Sequence, residues 1–348
     1  MKRKKVTVCA HIGEGCQLLN GQTIKSKYVI SALKNKYGAD TIGVVDTHDF
    51  QRRIFRTLIS VIRGVRGSRN FVILPASRGL RVFAPVVSIV SLKHSCRIHY
   101  IVIGGWLPEF LRVHKWLLRY LRTFHGIYVE TESMVKKLNK LGLKNAFLLR
   151  NFKIVHMSAA KEKGTIPEKS STYKFCTFSR VMPEKGIEIA CDAVEKVSEI
   201  RGREYISLDI YGQIESGYEK KFRSVINKCG SNIRYMGSIQ DKESADTLKD
   251  YDALIFQTYY DGEGVPGTII DAFYAGIPVI ASDWHFNSEI ITDGENGVII
   301  RDKRHLFEFL LNMDQNINGL KKMKGKCLLE SRKYTEKEFL RTFCRHLA

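Results

Sequence analysis

The chain has 348 residues, 44% of them apolar, which is enough for one large or two ordinary α/β domains, and two are expected. Its eight cysteines (Cys9, Cys16, Cys96, Cys176, Cys191, Cys229, Cys327, Cys344) lack the close pairing of a zinc site and read as reduced core thiols of a cytosolic protein. The formal charge is +20, and all of the excess lies in residues 1–150, where 27 Lys and Arg face 7 Asp and Glu; residues 151–348 carry 29 of each.

Met1-Lys2-Arg3-Lys4-Lys5 opens like a leader, but the apolar run Val6 to Ala10 is too short and ends at His11, so a first strand behind a basic tip is expected. Gly13-Glu14-Gly15 and Gly21-Gln22-Thr23 come next, as a loop whose amides, with Gly21 and Gln22, can approach a donor phosphate or an acceptor. Neither triplet makes a Walker or dinucleotide fingerprint. Further strands are predicted at Thr41–Asp46, Phe71–Ala76, Arg97–Ile103, Ile127–Glu130 and Ala146–Arg150, alternating with helical patterns in the manner of βαβ units. Asp46-Thr47-His48-Asp49 could pass for a metal-binding carboxylate pair and is read instead as a polar strand end; His11 and His94 are read as structural.

Residues 51–100 hold ten basic side chains and no acidic one. Arg52, Arg53, Arg56, Arg63, Arg66 and Arg69 interleave with Ile54, Phe55, Leu58, Ile59, Val61 and Ile62, a basic amphipathic helix suited to a membrane surface or to nucleic acid, or a solvated basic face over a buried stripe. Trp106, Trp116 and Leu117 among Arg112, Lys115, Arg119 and Arg122 offer a second aromatic and basic surface. Pro85 to Leu92 is apolar but much shorter than a membrane span.

The hydrophilic segment Ser158 to Thr172, with Lys161, Glu162, Lys163, Gly164, Glu168 and Lys169, reads as a linker. A second strand series is predicted at Lys174–Ser179, Ser207–Tyr211, Ile233–Met236, Ala253–Gln257, Val279–Ala281 and Gly297–Ile300. The expected division is an N-terminal domain over 1–152, a C-terminal domain over 153–330, and a helical tail, about 331–348, packing back on the first. Ligands of open α/β sheets sit beyond the carboxyl ends of the strands, so the site is expected in a cleft between the two sheets.

Arg180 falls just after the first strand of the second series and Glu263 just after its fourth. In Gly262-Glu263-Gly264-Val265-Pro266-Gly267-Thr268-Ile269-Ile270-Asp271-Ala272, glycines admit close backbone approach and a short helix beginning near Gly267 turns its positive end toward an anion. Glu263 is in the loop, and Asp271 is expected from about the first turn. A phosphate beside a polyhydroxylated sugar satisfies both halves. Arg180 and Lys185 suit a diphosphate, one as a bidentate fork and the other as a point charge.

Glu263 to Ala272 resembles the E-x7-E signature of family 4 glycosyltransferases, retaining enzymes of the GT-B fold that use nucleotide-sugar donors, with Asp271 where the second Glu is usual. Phe178-Ser179-Arg180-Val181-Met182-Pro183-Glu184-Lys185-Gly186 is similar to the family's Arg-x4-Lys-Gly segment; the Gly13 to Lys27 loop and the Arg150-Asn151-Phe152 hinge also fit. The resemblance implies two doubly wound Rossmann-like domains facing across a cleft, with the donor on the second. It implies Arg180 and Lys185 on the diphosphate, helped by the amides of Gly264, Val265 and Gly267, Glu263 on the donor sugar, and Asp271 on the ribose. Tyr211, Gly212, Met236 and Gly237, at strand ends, would border the base. No metal or other cofactor is implied, and the leaving phosphate would assist deprotonation of the acceptor on the same face.

The expected function is transfer from a nucleotide diphosphate sugar, UDP being the commonest nucleotide of the group, to a lipid-linked or polysaccharide acceptor of cell-surface glycan synthesis. Its setting would be cytoplasmic and peripheral at the inner face of an anionic membrane. A sugar-nucleotide epimerase on the same fold is the alternative, separable by donor turnover without acceptor. A nucleic-acid-binding protein ranks last, because it leaves Glu263, Asp271 and the glycine loop unexplained and no recognition motif appears.

Overall fold

The computed structural model describes residues 3–13, 21–155, 172–240 and 243–347. Glu14, Gly15, Cys16 and the linker residues 158–171 lie outside them. The chain divides into two compact units, one of residues 1–153, 262–265 and 333–348, the other of residues 154–261 and 266–332. The four residues Gly262 to Val265, read from the sequence as part of the second domain, group with the first unit.

The first unit is built on six parallel strands, β1 (Lys4–Ala10), β2 (Ile42–Asp46), β3 (Ser68–Ile73), β4 (Arg97–Ile101), β5 (Gly126–Val129) and β6 (Ala146–Leu148), in the order β2-β1-β3-β4-β5-β6. The second carries β7 (Tyr173–Phe178), β8 (Ile206–Tyr211), β9 (Ile233–Gly237), β10 (Ala253–Phe256), β11 (Val279–Ser282) and β12 (Gly297–Ile300), in the order β12-β11-β10-β7-β8-β9. All twelve predicted strands are present. Val8 pairs with Val44 on one side and Val72 on the other, and both of its faces are covered, so it is fully buried. Burial of both faces is why these strands read as continuous apolar runs.

In each sheet the winding reverses once, between β1 and β3 in the first and between β7 and β10 in the second. A crevice opens at such a reversal because the flanking connections leave to opposite faces.

The C-terminal helix Glu336–Phe343 belongs to the first unit, where Phe339 stacks on Phe152 at 4.2 Å and Phe343 meets the Tyr128 ring edge-on at 5.0 Å. Beneath it His99 is fully buried. Asn70 gives its amide to the Lys5 carbonyl, so its Oδ1 accepts from His99 Nε2 at 3.2 Å, and His99 Nδ1 accepts from Tyr128 at 3.0 Å. Burial first, then His125, His346 and Arg97, lower the His99 pKa from 6.5 to about 3. A histidine that protonates more readily unfolded than folded contributes stability above pH 6.5, and this is lost as the pH falls toward 3. Wild-type protein should therefore lose up to about 1.4 kcal/mol per pH unit through that window beyond what a His99→Gln variant loses. Thermal melts from pH 7 to pH 4 test this; parallel curves for the two proteins would refute it.

Candidate functional site

Beyond the carboxyl end of β7 the chain stays bound to β8 and to the residues just past it, with Ser179 N–H donating to Tyr211 O at 3.1 Å and Val181 N–H to Gln213 O at 2.9 Å. Pro183–Lys185 form a single 3-10 turn, and Gly186, at φ +66°, opens the helix Ile187–Arg201. A Cβ on Gly186 would stand 1.9 Å from Gln257 O, so only glycine lets this turn close on the end of β10. Tyr259 N–H and the Thr258 hydroxyl both donate to Glu184 O, at 2.7 and 3.2 Å. Lys185 Nζ is thereby held 5.0 Å from the centre of the Tyr260 ring and 5.7 Å from that of Phe256. Arg180 is exposed, and its Nη1 lies 3.4 Å from Glu215 Oε1, a loose pair that solvent screens. Both cations thus stand at the reversal point of the second sheet.

Among the described residues, two buried oxygens near this edge, Glu184 Oε2 and Thr268 Oγ1, find no hydrogen-bond partner. Buried polar atoms are nearly always satisfied, so each has bonding capacity that a ligand or water can take up. Thr268 is the second residue of the helix Gly267–Ala275, which starts after Pro266 and ends at Gly276 in the left-handed conformation. Asp271 is the fifth residue of that helix, so it belongs to the second turn rather than the first. It is fully buried, with Ser244 Oγ donating to Oδ1 at 2.8 Å.

Glu263 is 9% exposed and belongs to the four-residue stretch counted with the first unit. Gly105 N–H donates to Gly262 O at 3.2 Å, the Asn151 amide to Val265 O at 3.0 Å, and Val265 N–H to Glu130 Oε2 at 2.8 Å. Glu130 also forms an ion pair with Lys25; the two residues are 3% and 5% exposed. Sequence reading missed this pair. Lys25 stands among Thr23, Ser26 and Lys27 and carries no signal of its own, and nothing in the long stretch of chain separating it from Glu130 ties the two together.

Other predicted residues fall differently. Gly21 and Gln22 are the first residues of the helix Gly21–Tyr37, not of a free loop, and Gln22 Nε2 donates to Leu74 O at 3.3 Å. The Tyr211 hydroxyl donates to Tyr251, which donates to Asp209 Oδ2, each at 2.8 Å, and Asp209 also takes the Arg234 fork. Tyr211 is therefore tied into a structural network. Gly212 N–H donates to Gly237 O at 2.9 Å, and Gly212 O accepts from Tyr235 at 2.8 Å, so its backbone is committed as well. Met236 is 46% exposed, and Gly237, at φ +80°, has open space where a Cβ would stand.

At the edge of the first sheet, Asp46 Oδ1 accepts from the N–H groups of Ile12 and His48, at 2.9 and 2.8 Å. His48 meets His11 at 3.2 Å, and His11 meets Thr23 at 3.2 Å. Burial first, and His48 second, hold the His11 pKa below its ordinary 6.5. Among the described residues, no three His, Cys, Asp or Glu side chains group as a metal site. Leu117, read as an exposed apolar group, is fully buried; Val113 at 80% and Trp116 at 44% are the exposed ones.

Residues 158–308 match the family model of glycosyl transferases group 1. That stretch contains the turn with Arg180 and Lys185, the Glu263 loop and the helix bearing Asp271. An uncharacterized glycosyltransferase of Methanocaldococcus jannaschii is 23% identical over 186 residues, 51% of this chain and 45% of that protein. The capsular polysaccharide biosynthesis glycosyltransferase CapH of Staphylococcus aureus is 33% identical over 99 residues, 27% of each chain. The chain thus spans less than half the length of these relatives. In fold, it superposes on HepE of Anabaena, crystallised in complex with UDP, with a TM-score of 0.75 at 13% identity, over 100% of this chain and 99% of that one. The fold is GT-B.

Proposed function

We propose that the chain is a retaining glycosyltransferase that moves a sugar from a nucleotide diphosphate sugar, UDP being the nucleotide favoured, to a lipid-linked or polysaccharide acceptor of cell-surface glycan synthesis. The observation that carries this reading is the placement of Arg180 just past β7 and of Lys185 on the turn beside the end of β10, the two strands between which the second sheet reverses, inside the stretch matching the family. UDP is favoured because HepE was crystallised with it, and a surface glycan because CapH is a capsule enzyme. In the reaction proposed, the bond between the anomeric carbon and the β-phosphate oxygen breaks and its electron pair leaves with the phosphate. The acceptor hydroxyl attacks the same face, and its proton passes to that phosphate, giving a glycoside of unchanged configuration and a nucleoside diphosphate.

Arg180 and Lys185 stabilise the charge growing on the diphosphate without a metal cofactor, with amides at the start of the helix Gly267–Ala275 adding to them. Glu263 takes donor sugar hydroxyls, and Asp271 takes the ribose once Ser244 gives up its bond. A thermal-shift screen across UDP, GDP, ADP and dTDP, then UDP-glucose, UDP-galactose and UDP-N-acetylglucosamine, tests the class. Ligand at 100 times its Kd stabilises by about 2.7 kcal/mol, a readily measured rise in Tm. A flat response to every nucleotide diphosphate would overturn the proposal.

The acceptor side carries the membrane reading, with no nucleic-acid partner proposed. On the helix Ile54–Arg66, Thr57, Val61 and Val65 are buried, while Phe55 is 80% and Ile59 49% exposed among the exposed Arg52, Arg53, Arg56 and Arg63. Apolar side chains ringed by arginines suit an anionic lipid surface at the cytoplasmic face, where the chain would bind peripherally. No helix among the described residues is long and apolar enough to cross a membrane. Binding to phosphatidylserine vesicles should fall as salt rises, because the Debye length shrinks from about 10 Å at 0.1 M to about 3 Å at 1 M. Phe55→Ser should remove most of the binding that survives at high salt. Equal sedimentation with neutral and anionic vesicles, or none with either at low salt, would leave a soluble acceptor as the better account.

A further inference from the structure

We infer that Glu130, neutralised by Lys25, is a positioning residue that fixes the loop carrying Glu263, an inference that rests on the role proposed for Glu263. Glu130 is the first residue past β5, and Lys25 lies on the helix Gly21–Tyr37. One carboxylate oxygen faces the Lys25 ammonium and the other accepts from Val265 N–H at 2.8 Å, two residues from Glu263. A Cβ on Gly264 would stand 2.3 Å from Glu130 Oε2 and 2.8 Å from Gly104 Cα, and one on Gly104 would stand 2.7 Å from Gly262 O. The loop therefore lies directly on the carboxylate, with no room for a side chain at Gly264.

Stability does not account for this pair. Removing two charges from water costs about what their attraction returns, and apolar side chains of the same size commonly do as well or better. What apolar replacements cannot supply is a charged acceptor for a loop amide, which gives a short, directional bond. Because Val265 N–H is taken, it is not available to a phosphate, and the pair fixes the loop rather than binding the ligand. A displacement of about 1 Å in a group facing a reacting sugar is enough to cost roughly 100-fold in rate.

Two neutral versions of the pair separate positioning from folding. Lys25→Met/Glu130→Leu keeps the volume and removes the acceptor; Lys25→Met/Glu130→Gln keeps a carbonyl oxygen for Val265 N–H. Both are compared with wild type for Tm, UDP affinity, deuterium exchange over residues 262–266, and kcat with the best donor among UDP-glucose, UDP-galactose and UDP-N-acetylglucosamine. The Leu version should exchange faster in that segment and lose at least about tenfold in kcat, with UDP affinity and Tm near wild type, and the Gln version should recover part of the loss. Adding Glu263→Ala to the Leu version should cost little beyond Glu263→Ala alone, since both act through one group.

Wild-type exchange or wild-type kcat in the Leu version, no recovery by Gln, or losses that multiply with Glu263→Ala would each overturn the inference. Normal turnover by Glu263→Ala alone would instead overturn the role of Glu263, and the inference with it.

Discussion

Glu263→Ala is expected to cut sugar transfer at least about 100-fold while leaving the fold and UDP binding nearly intact. The side chain is 9% exposed on a short loop held by Gly105, Asn151 and Glu130, so its carboxylate is preplaced, and a ligand hydroxyl meeting it gains a charge-assisted bond. Each such bond is worth about 1.5–3 kcal/mol, and a carboxylate taking two sugar hydroxyls accounts for at least about 100-fold in kcat. The nucleotide makes none of these bonds, so the Kd for UDP should stay within about threefold of wild type. Glu263→Gln, which keeps an acceptor oxygen but no charge, should fall between. Initial rates of UDP release with donor and acceptor, beside calorimetric titration with UDP, make the comparison. Wild-type turnover by Glu263→Ala would remove it from the site, and an equal loss of UDP affinity would move it from the sugar to the nucleotide.

Arg180→Ala and Lys185→Ala should do the opposite, weakening UDP itself. Among the described residues Arg180 is held by the loose 3.4 Å pair with Glu215, so turning to a diphosphate costs it little, and its planar fork spans two phosphate oxygens. Lys185 is fixed differently, on the turn that Gly186 presses against Gln257 and beside the rings of Tyr260 and Phe256. Loss of a charged hydrogen bond of about 1.5–3 kcal/mol should raise the Kd for UDP by roughly 10- to 150-fold in each variant. Arg180→Lys should rescue only part, since a point charge cannot span both oxygens. Uridine, lacking the phosphates, should bind the variants and wild type alike. Unchanged UDP affinity in both alanine variants would show that these cations are surface charges.

Much of the fold and part of the candidate site are legible in the residues. Twelve short runs, each bounded by turn residues or a helical pattern, locate the strands, and the inner ones are largely apolar because a strand covered on both faces tolerates little else. Gly186 and Gly276 stand at turns whose positive φ only glycine adopts cheaply, one opening a helix and the other closing one, a local signal that the chain carries by itself. Arg180 and Glu263 are visible for a related reason: both come soon after a strand, and strand ends are where such sheets present ligand groups.

Strand order is not legible. Parallel strands of Val, Ile and Leu carry no code for their neighbours, so β2-β1-β3 in one sheet and β10-β7-β8 in the other emerge only when the helices choose a face. Tertiary structure alone also joined Lys25 to Glu130, buried Asp271 against Ser244, tied Tyr211 to Tyr251, and counted Gly262 to Val265 with the first unit. Local chemistry is carried by residues adjacent in the chain and can be read there. A charge pair 105 positions apart has no local signature, because the dry surroundings that make it strong exist only after the chain has folded.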